Sequence, residues 1–280
     1  MSQKIENMSS IYQVPKIDID EVIRQKAPNK KFPKLIVNYL KRIVHQEDLN
    51  KYFQSVSSQK GIPFIDSSLK KFGVSVKVFG EENLPSKDGK YIFVSNHPLG
   101  GLDGITLGKV IGNHYDGKVK FFANDFLMYV EQLKDMFIPI NKVGAQSKDI
   151  SKAIDEFFES DNHLITFPAG ACSRKIHGEI KDFEWKKTFV IKAVQYQRDV
   201  IPIYFEAKNS KFFYNLANWR TKFGIKVNIE MLYLVNEMYK QNGNIFKVKI
   251  GKPIPYQTFD KTKSPTQWAN FVRENVYRMK

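Results

Sequence analysis

His97 and Asp103 stand six positions apart, with Pro98, Gly100 and Gly101 between them. On one continuous helix they would face different sides, because only residues three or four apart are neighbours. A turn between them lets the carboxylate fold back onto the imidazole. Pro98 disfavours the α region for His97 and keeps it extended, and the two glycines permit a tight turn. A carboxylate that fixes a histidine's tautomer and steadies its positive charge makes the ring a general base. Aspartate also favours helix N-termini, so the pair taken alone also fits a capped corner with no chemistry.

A second group follows at Phe167-Pro168-Ala169-Gly170-Ala171-Cys172-Ser173-Arg174-Lys175. Small residues let a ligand approach the backbone closely. Exposed turn amides beside Arg174 and Lys175 suit a phosphate or a carboxylate. Arginine grips such a group with two bonds and lysine as a point charge. In a chain of net charge +15, a solvated basic loop has the same appearance.

The elements that must position these groups are short strands and helices. Tyr91 to Val94 is an apolar run bounded by turn residues, which predicts a buried strand. A helix is expected from Gly104 to about Ile111, with Asp103 capping or opening it. Helices are predicted at Asp18 to Lys26, Lys34 to Gln46 and Glu47 to Ser57, with another at Ser67 to Phe72. Val74 to Val78 alternates as a half-buried strand does. Further strands are expected at Lys120 to Ala123, Phe137 to Ile140, His163 to Phe167, Val200 to Phe205 and Phe246 to Ile250. Pro139 argues that its strand lies at an edge. A short helix should follow Asn124-Asp125. Further helices are predicted at Ser147 to Glu159, Asp182 to Tyr196, Lys211 to Phe223, Ile229 to Lys240 and Pro265 to Lys280. This alternation predicts an α/β fold with a largely parallel central sheet flanked by helices. An N-terminal helical region, 1–72, precedes the α/β domain, 73–280, and opens on a polar lead over 1–16. Ligands of such sheets bind at strand carboxyl ends, where both polar corners fall.

Composition narrows the partners. A chain of 280 residues, 42% hydrophobic, can bury a sizeable core. Its charge of +15 favours an anionic partner: nucleic acid, a membrane surface or an acidic carrier protein. With the single cysteine Cys172 there is no intrachain disulfide and no Cys-rich metal site. No apolar run approaches the roughly 20 residues that span a bilayer, and the N-terminus lacks the apolar core of a signal peptide. The expected place is cytoplasmic, peripheral on the inner face of the membrane.

Together the two corners resemble the glycerolipid acyltransferase superfamily, the relatives of lysophosphatidic acid acyltransferase. The resemblance covers residues 74 to about 205 and rests on four motifs in order. Asn96, His97 and Asp103 match the first. Ile140-Asn141-Lys142 stands at the second. Phe167, Pro168, Gly170 and Ser173 match the third, and Val200-Ile201-Pro202-Ile203 the fourth. There are departures. Five residues, not four, separate His97 from Asp103. Ala169, Ala171 and Cys172 replace the third motif's glutamate, threonine and arginine, and Arg174 lies two positions beyond the usual arginine. The combination is similar to the hemolysin-like branch of amino-acid-lipid O-acyltransferases, which esterify the 3-hydroxyl of an N-acylated amino acid such as a lyso-glycine or lyso-ornithine lipid.

The resemblance implies that His97, oriented by Asp103, takes the proton of a lysolipid hydroxyl, which then attacks the thioester of acyl carrier protein or acyl-CoA. Backbone amides near Gly170 would hold the oxyanion. Asn96, Asn141, Lys142, Phe167, Pro168, Gly170, Ser173, Arg174 and Lys175 would form the substrate site, with Lys142, Arg174 and Lys175 holding the acceptor's anionic group. No metal or redox cofactor is implied. An anionic membrane surface is the expected partner, and no nucleic acid. The alternatives are a lysophosphatidic acid acyltransferase of phospholipid synthesis, or a non-catalytic basic protein binding lipid or nucleic acid, although no nucleic-acid signature appears. A serine hydrolase is disfavoured by the lack of a Gly-x-Ser-x-Gly elbow. Phe212, Leu216, Trp219 and Phe223 make one apolar stripe at helical spacing beside Lys211, Arg220 and Lys222. That stripe fits either core packing or a bilayer interface. Ile36, Leu40, Ile43 and Val44 pose the same choice.

Overall fold

The computed structural model describes residues 16–123, 130–139 and 147–280. The expected polar lead, the helix after Asn124-Asp125 and the positions of Ile140, Asn141 and Lys142 lie outside the described residues, the lead save for Lys16. Four helices come first: α1 (Ile19–Lys26), α2 (Lys34–Ile43), α3 (Gln46–Ser55) and α4 (Ile62–Lys71). There follow β1 (Ser75–Phe79), β2 (Tyr91–Ser95), α5 (Leu102–His114), β3 (Val119–Ala123) and β4 (Phe137–Pro139). Next come α6 (Ser147–Glu159), β5 (His163–Thr166), β6 (Arg174–Ile176), β7 (Glu179–Lys181) and α7 (Thr188–Gln195). The chain closes with β8 (Asp199–Glu206), α8 (Lys211–Lys222), α9 (Leu234–Tyr239), β9 (Ile245–Ile250) and α10 (Pro265–Arg278).

Seven strands form one sheet in the order β1-β9-β8-β2-β5-β3-β4. Every neighbouring pair is parallel except β8 with β9. β2 is buried at all five positions without alternation, as a central strand covered on both faces must be. Its residues divide between two cores. Phe93 packs with Ile165, Ile203 and Phe205 beneath α4 and α5. Ile92 and Val94 pack with Leu164 and Val200 beneath α6, α7 and α10. β4 is an edge strand and holds Pro139, where a missing N–H costs no ladder bond.

Several expectations are corrected. The run from Lys34 to Gln46 is not one helix: it stops at Ile43, and His45 turns the chain with φ 50° before α3. α4 starts at Ile62, five residues before the expected Ser67, behind Gly61 and with Pro63 in its first turn. The helix expected from Asp182 begins only at Thr188, because Asp182 and Lys186 are tied to His97 and Pro168 instead. The stretch from Ile229 forms a 3-10 turn to Tyr233 before α9. A β6–β7 hairpin, turned at His177 and Gly178 with φ 51° and 87°, occupies a stretch read only as loop.

Candidate active site

Strand register brings the two corners together. Val94 pairs with Thr166 and Ser95 with Ile203, so the chain leaving β2 meets the chain leaving β5. Two further contacts fasten them. Ser173 N–H donates to the His97 carbonyl at 2.7 Å, and the His97 ring stacks on Phe167 with centroids 4.1 Å apart. The turn 167–173 is therefore held against His97 at both ends.

Asp103 sits in the first turn of α5, with Gly101 rather than Asp103 at the N-cap. Its carboxylate is fully buried. Oδ2 accepts from His97 Nδ1 at 3.0 Å, from Leu99 N at 2.9 Å and from Gly100 N at 3.3 Å. Oδ1 accepts from Gly104 N at 2.8 Å. One side chain thus both closes the turn and orients the ring. Gly100 takes φ 89°, a left-handed backbone that favours glycine, and a Cβ there would also crowd Leu234 at 3.1 Å. A carboxylate only accepts, so in the neutral ring Nδ1 carries the proton and Nε2 keeps its lone pair. Burial pulls the His97 pKa down, but the charge and hydrogen bond of Asp103, helped by Asp182, outweigh it and hold the ring above the ordinary imidazole value.

Several residues expected to bind substrate are engaged within the fold. Asn96 is buried, accepting from Phe205 N at 2.7 Å and donating to Phe205 O at 2.9 Å. Ser173 is buried and donates its hydroxyl to Asp182 Oδ1 at 2.6 Å. Arg174 is only 6% exposed. It donates to Cys172 O at 2.7 Å and to Glu230 Oε1 at 3.0 Å. Glu230, fully buried, also accepts from Arg220 Nε at 2.9 Å. Arg174 is therefore engaged in an ion triad with buried Glu230 and half-buried Arg220. Pro168 is buried beside half-buried Phe167, and Gly170 is exposed with φ 69°. The Gly170 amide donates to Phe167 O at 2.9 Å, which engages it within the turn. Lys175 is exposed on the hairpin. Lys186, not singled out in the sequence, is tied by its N–H to Pro168 O at 3.0 Å and lays its Nζ over Gly170.

Asp182 was also missed. It is 1% exposed, and burial pushes its carboxyl above the ordinary carboxylate range against the pull of Ser173 and Trp185. Besides Ser173 it accepts from His97 N at 3.2 Å and Trp185 Nε1 at 2.9 Å. Nothing local marks it, because its partner His97 lies 85 positions away. Geometrically, the corner can do base chemistry at Nε2 of His97, on a ligand lying over an open glycine turn with lysines beside it.

The acyltransferase family model matches residues 21–280. The chain belongs to the acyltransferase family. Two acyltransferase relatives, both named lyso-glycine lipid O-acyltransferase, come from Bacteroides thetaiotaomicron and Phocaeicola vulgatus. Each is 51% identical over 265 residues, covering 94% of this chain and 97% and 95% of the relatives. Among solved structures, the crystal structure of the 1-acyl-sn-glycerophosphate (LPA) acyltransferase PlsC from Thermotoga maritima is similar at 15% identity. Its TM-score is 0.48, with 93% of this chain and 88% of that one covered. This chain is an acyltransferase, and no helix among its described residues is long and apolar enough to cross a membrane.

Proposed function

We propose that this acyltransferase moves a fatty acyl group from an acyl thioester to the 3-hydroxyl of an N-(3-hydroxyacyl)glycine, completing a glycine lipid. The observation that carries the reading is the His97–Asp103 pair at a strand end, in a chain 51% identical to two enzymes named for that acceptor. Nε2 of His97 takes the hydroxyl proton as the alkoxide attacks the thioester carbon. The tetrahedral intermediate expels the thiolate, and the imidazolium returns the proton to sulfur. The products are an ester and a free thiol, with no covalent enzyme intermediate. The donor is acyl carrier protein or acyl-CoA, and no metal or redox group is required.

Lys175 and Lys186, exposed beside the turn and in no ion pair among the described residues, are the cations suited to the glycine carboxylate. Lys142 belongs to the same proposal from its place in the second motif. The engagement of Arg174 by Glu230 favours this acceptor over lysophosphatidic acid, since no arginine is left free in the third motif for a phosphate.

The lipid reading also accounts for an exposed apolar face. Leu35 is 82% exposed, Trp219 67% and Phe223 65%. The core-packing option for the α8 stripe therefore fails: Phe213, Tyr214 and Ala217 form the buried side. Tyr39 and Tyr233 share a hydrogen bond of 2.7 Å, and Tyr233 packs on Phe212, which makes α2 and α8 one face. Exposed aromatics beside Lys211 and Lys222 suit an anionic bilayer interface. That exposure supports our proposal of a peripheral position on the membrane, for which we take the inner face. Lipid mass spectrometry of cells with and without the protein tests the acceptor. Loss of glycine lipid with accumulation of its lyso form is expected; accumulation of lysophosphatidic acid instead would overturn the choice.

A further inference from the structure

Asp182 joins three segments that sequence keeps apart. Oδ1 accepts from the main-chain N–H of His97, at the end of β2, and from the hydroxyl of Ser173, at the end of the 167–173 turn. Oδ2 accepts from Trp185, whose ring is buried beside Phe189. The main chain of Asp182 is held as well. Its N–H donates to the Tyr277 hydroxyl at 2.8 Å, and its carbonyl accepts from Arg273 at 3.0 Å, both on α10. The main chain of Asp182 is thus fixed from behind by α10, while Oδ1 points at the site and Oδ2 at the buried indole.

We propose that Asp182 is a positioning residue for the transfer. Through its hydrogen bonds it fixes the His97 main chain against the glycine turn, so that Nε2 faces an acceptor lying there. Asp103 sets the rotation and tautomer of the ring; Asp182 sets where the ring's backbone stands. Neither task can replace the other, because the Asp103 bond travels with α5 and the Asp182 bond with α10. The role rests on the acyl-transfer reading above, in which His97 is the base. Displacing a reacting group by about 1 Å can cost on the order of 10²-fold in rate while leaving ground-state binding nearly intact.

Four variants test it, using the full chain and the acyl transfer it catalyses, with folding followed by thermal melting. Asp182→Glu keeps the charge but moves the carboxylate outward by one methylene. It should lower kcat at least tenfold and leave the acceptor KM within about twofold. Asp182→Ala should do at least the same. Asp182→Asn combined with Trp185→Phe keeps an oxygen for His97 and Ser173 and removes the indole N–H that the new amide would oppose. It should recover kcat to within about threefold of Trp185→Phe alone. Wild-type kcat in folded Asp182→Glu would overturn the proposal. So would a folded double variant as slow as Asp182→Glu, since keeping the hydrogen bonds to His97 and Ser173 would then not restore the rate. If Trp185→Phe alone is inactive on N-(3-hydroxyacyl)glycine and on lysophosphatidic acid while wild type is active, the Trp185 contact carries the role and Asp182 does not. If wild type acylates lysophosphatidic acid only, the acceptor reading falls, and the same variants test Asp182 on that substrate.

Discussion

At the residue scale, the site combines a ring held from one side and a backbone held from the other. The Nδ1 contact with Asp103 predicts a pH signature. As the proposed base, His97 would act only when neutral, and Asp103 holds its pKa above the ordinary value of about 6.5. The rate should therefore fall as pH drops through that raised pKa. Asp103→Asn removes the charge and leaves burial in control, so kcat should drop and the acid limb move to lower pH. A limb that stays put would show that another group titrates. The same raised pKa has a stability consequence of fixed sign: protonated His97 favours the folded state below the unfolded imidazole pKa, and that contribution is lost as pH rises through the folded value. His97 and Asp103 were legible in the sequence because one short turn joins them. Arg174 was legible as a cation but not as a buried one, since Glu230 lies 56 positions on and inside a different element.

At the element scale, the hairpin β6–β7 and the turn before α9 are locked by Glu230, which is fully buried between Arg174 and Arg220. Removing the carboxylate strands the buried Arg174 guanidinium beside the half-buried Arg220. Glu230→Ala should cost about 3–5 kcal/mol, the usual result of stranding buried charge, and urea unfolding measures it; a loss under about 1 kcal/mol would mean that water already solvates the triad. Local pattern predicted most elements here, including β2 and α6, because apolar periodicity decides them. It failed for Asp182 to Lys187, where helix-compatible residues are tied by contacts to His97 and Pro168 instead. It failed for β6–β7 too, whose strands are three residues each and too short to show alternation; His177-Gly178 was the one available sign.

At the scale of the whole molecule, sheet order places both corners at adjacent strand ends, and that order was not readable, because register is fixed by contacts across the sheet. The charge of +15 and the α2–α8 face act at this scale. Met231 and Leu234, between that face and the site, touch Cys172 and overlie Gly100. Changing Trp219 and Phe223 to Ser should weaken binding to anionic vesicles severalfold with unaltered melting, since both rings are exposed; a lowered melting temperature with binding unchanged would contradict docking through this face. The central claim is most directly tested by giving purified protein an acyl thioester and N-(3-hydroxyacyl)glycine and weighing the product by mass spectrometry. Wild type should add one acyl group to the hydroxyl and release one free thiol, and folded His97→Ala should do so about 10²–10⁴-fold more slowly. Equal rates from the two proteins, or no diacylated product from wild type, would contradict it.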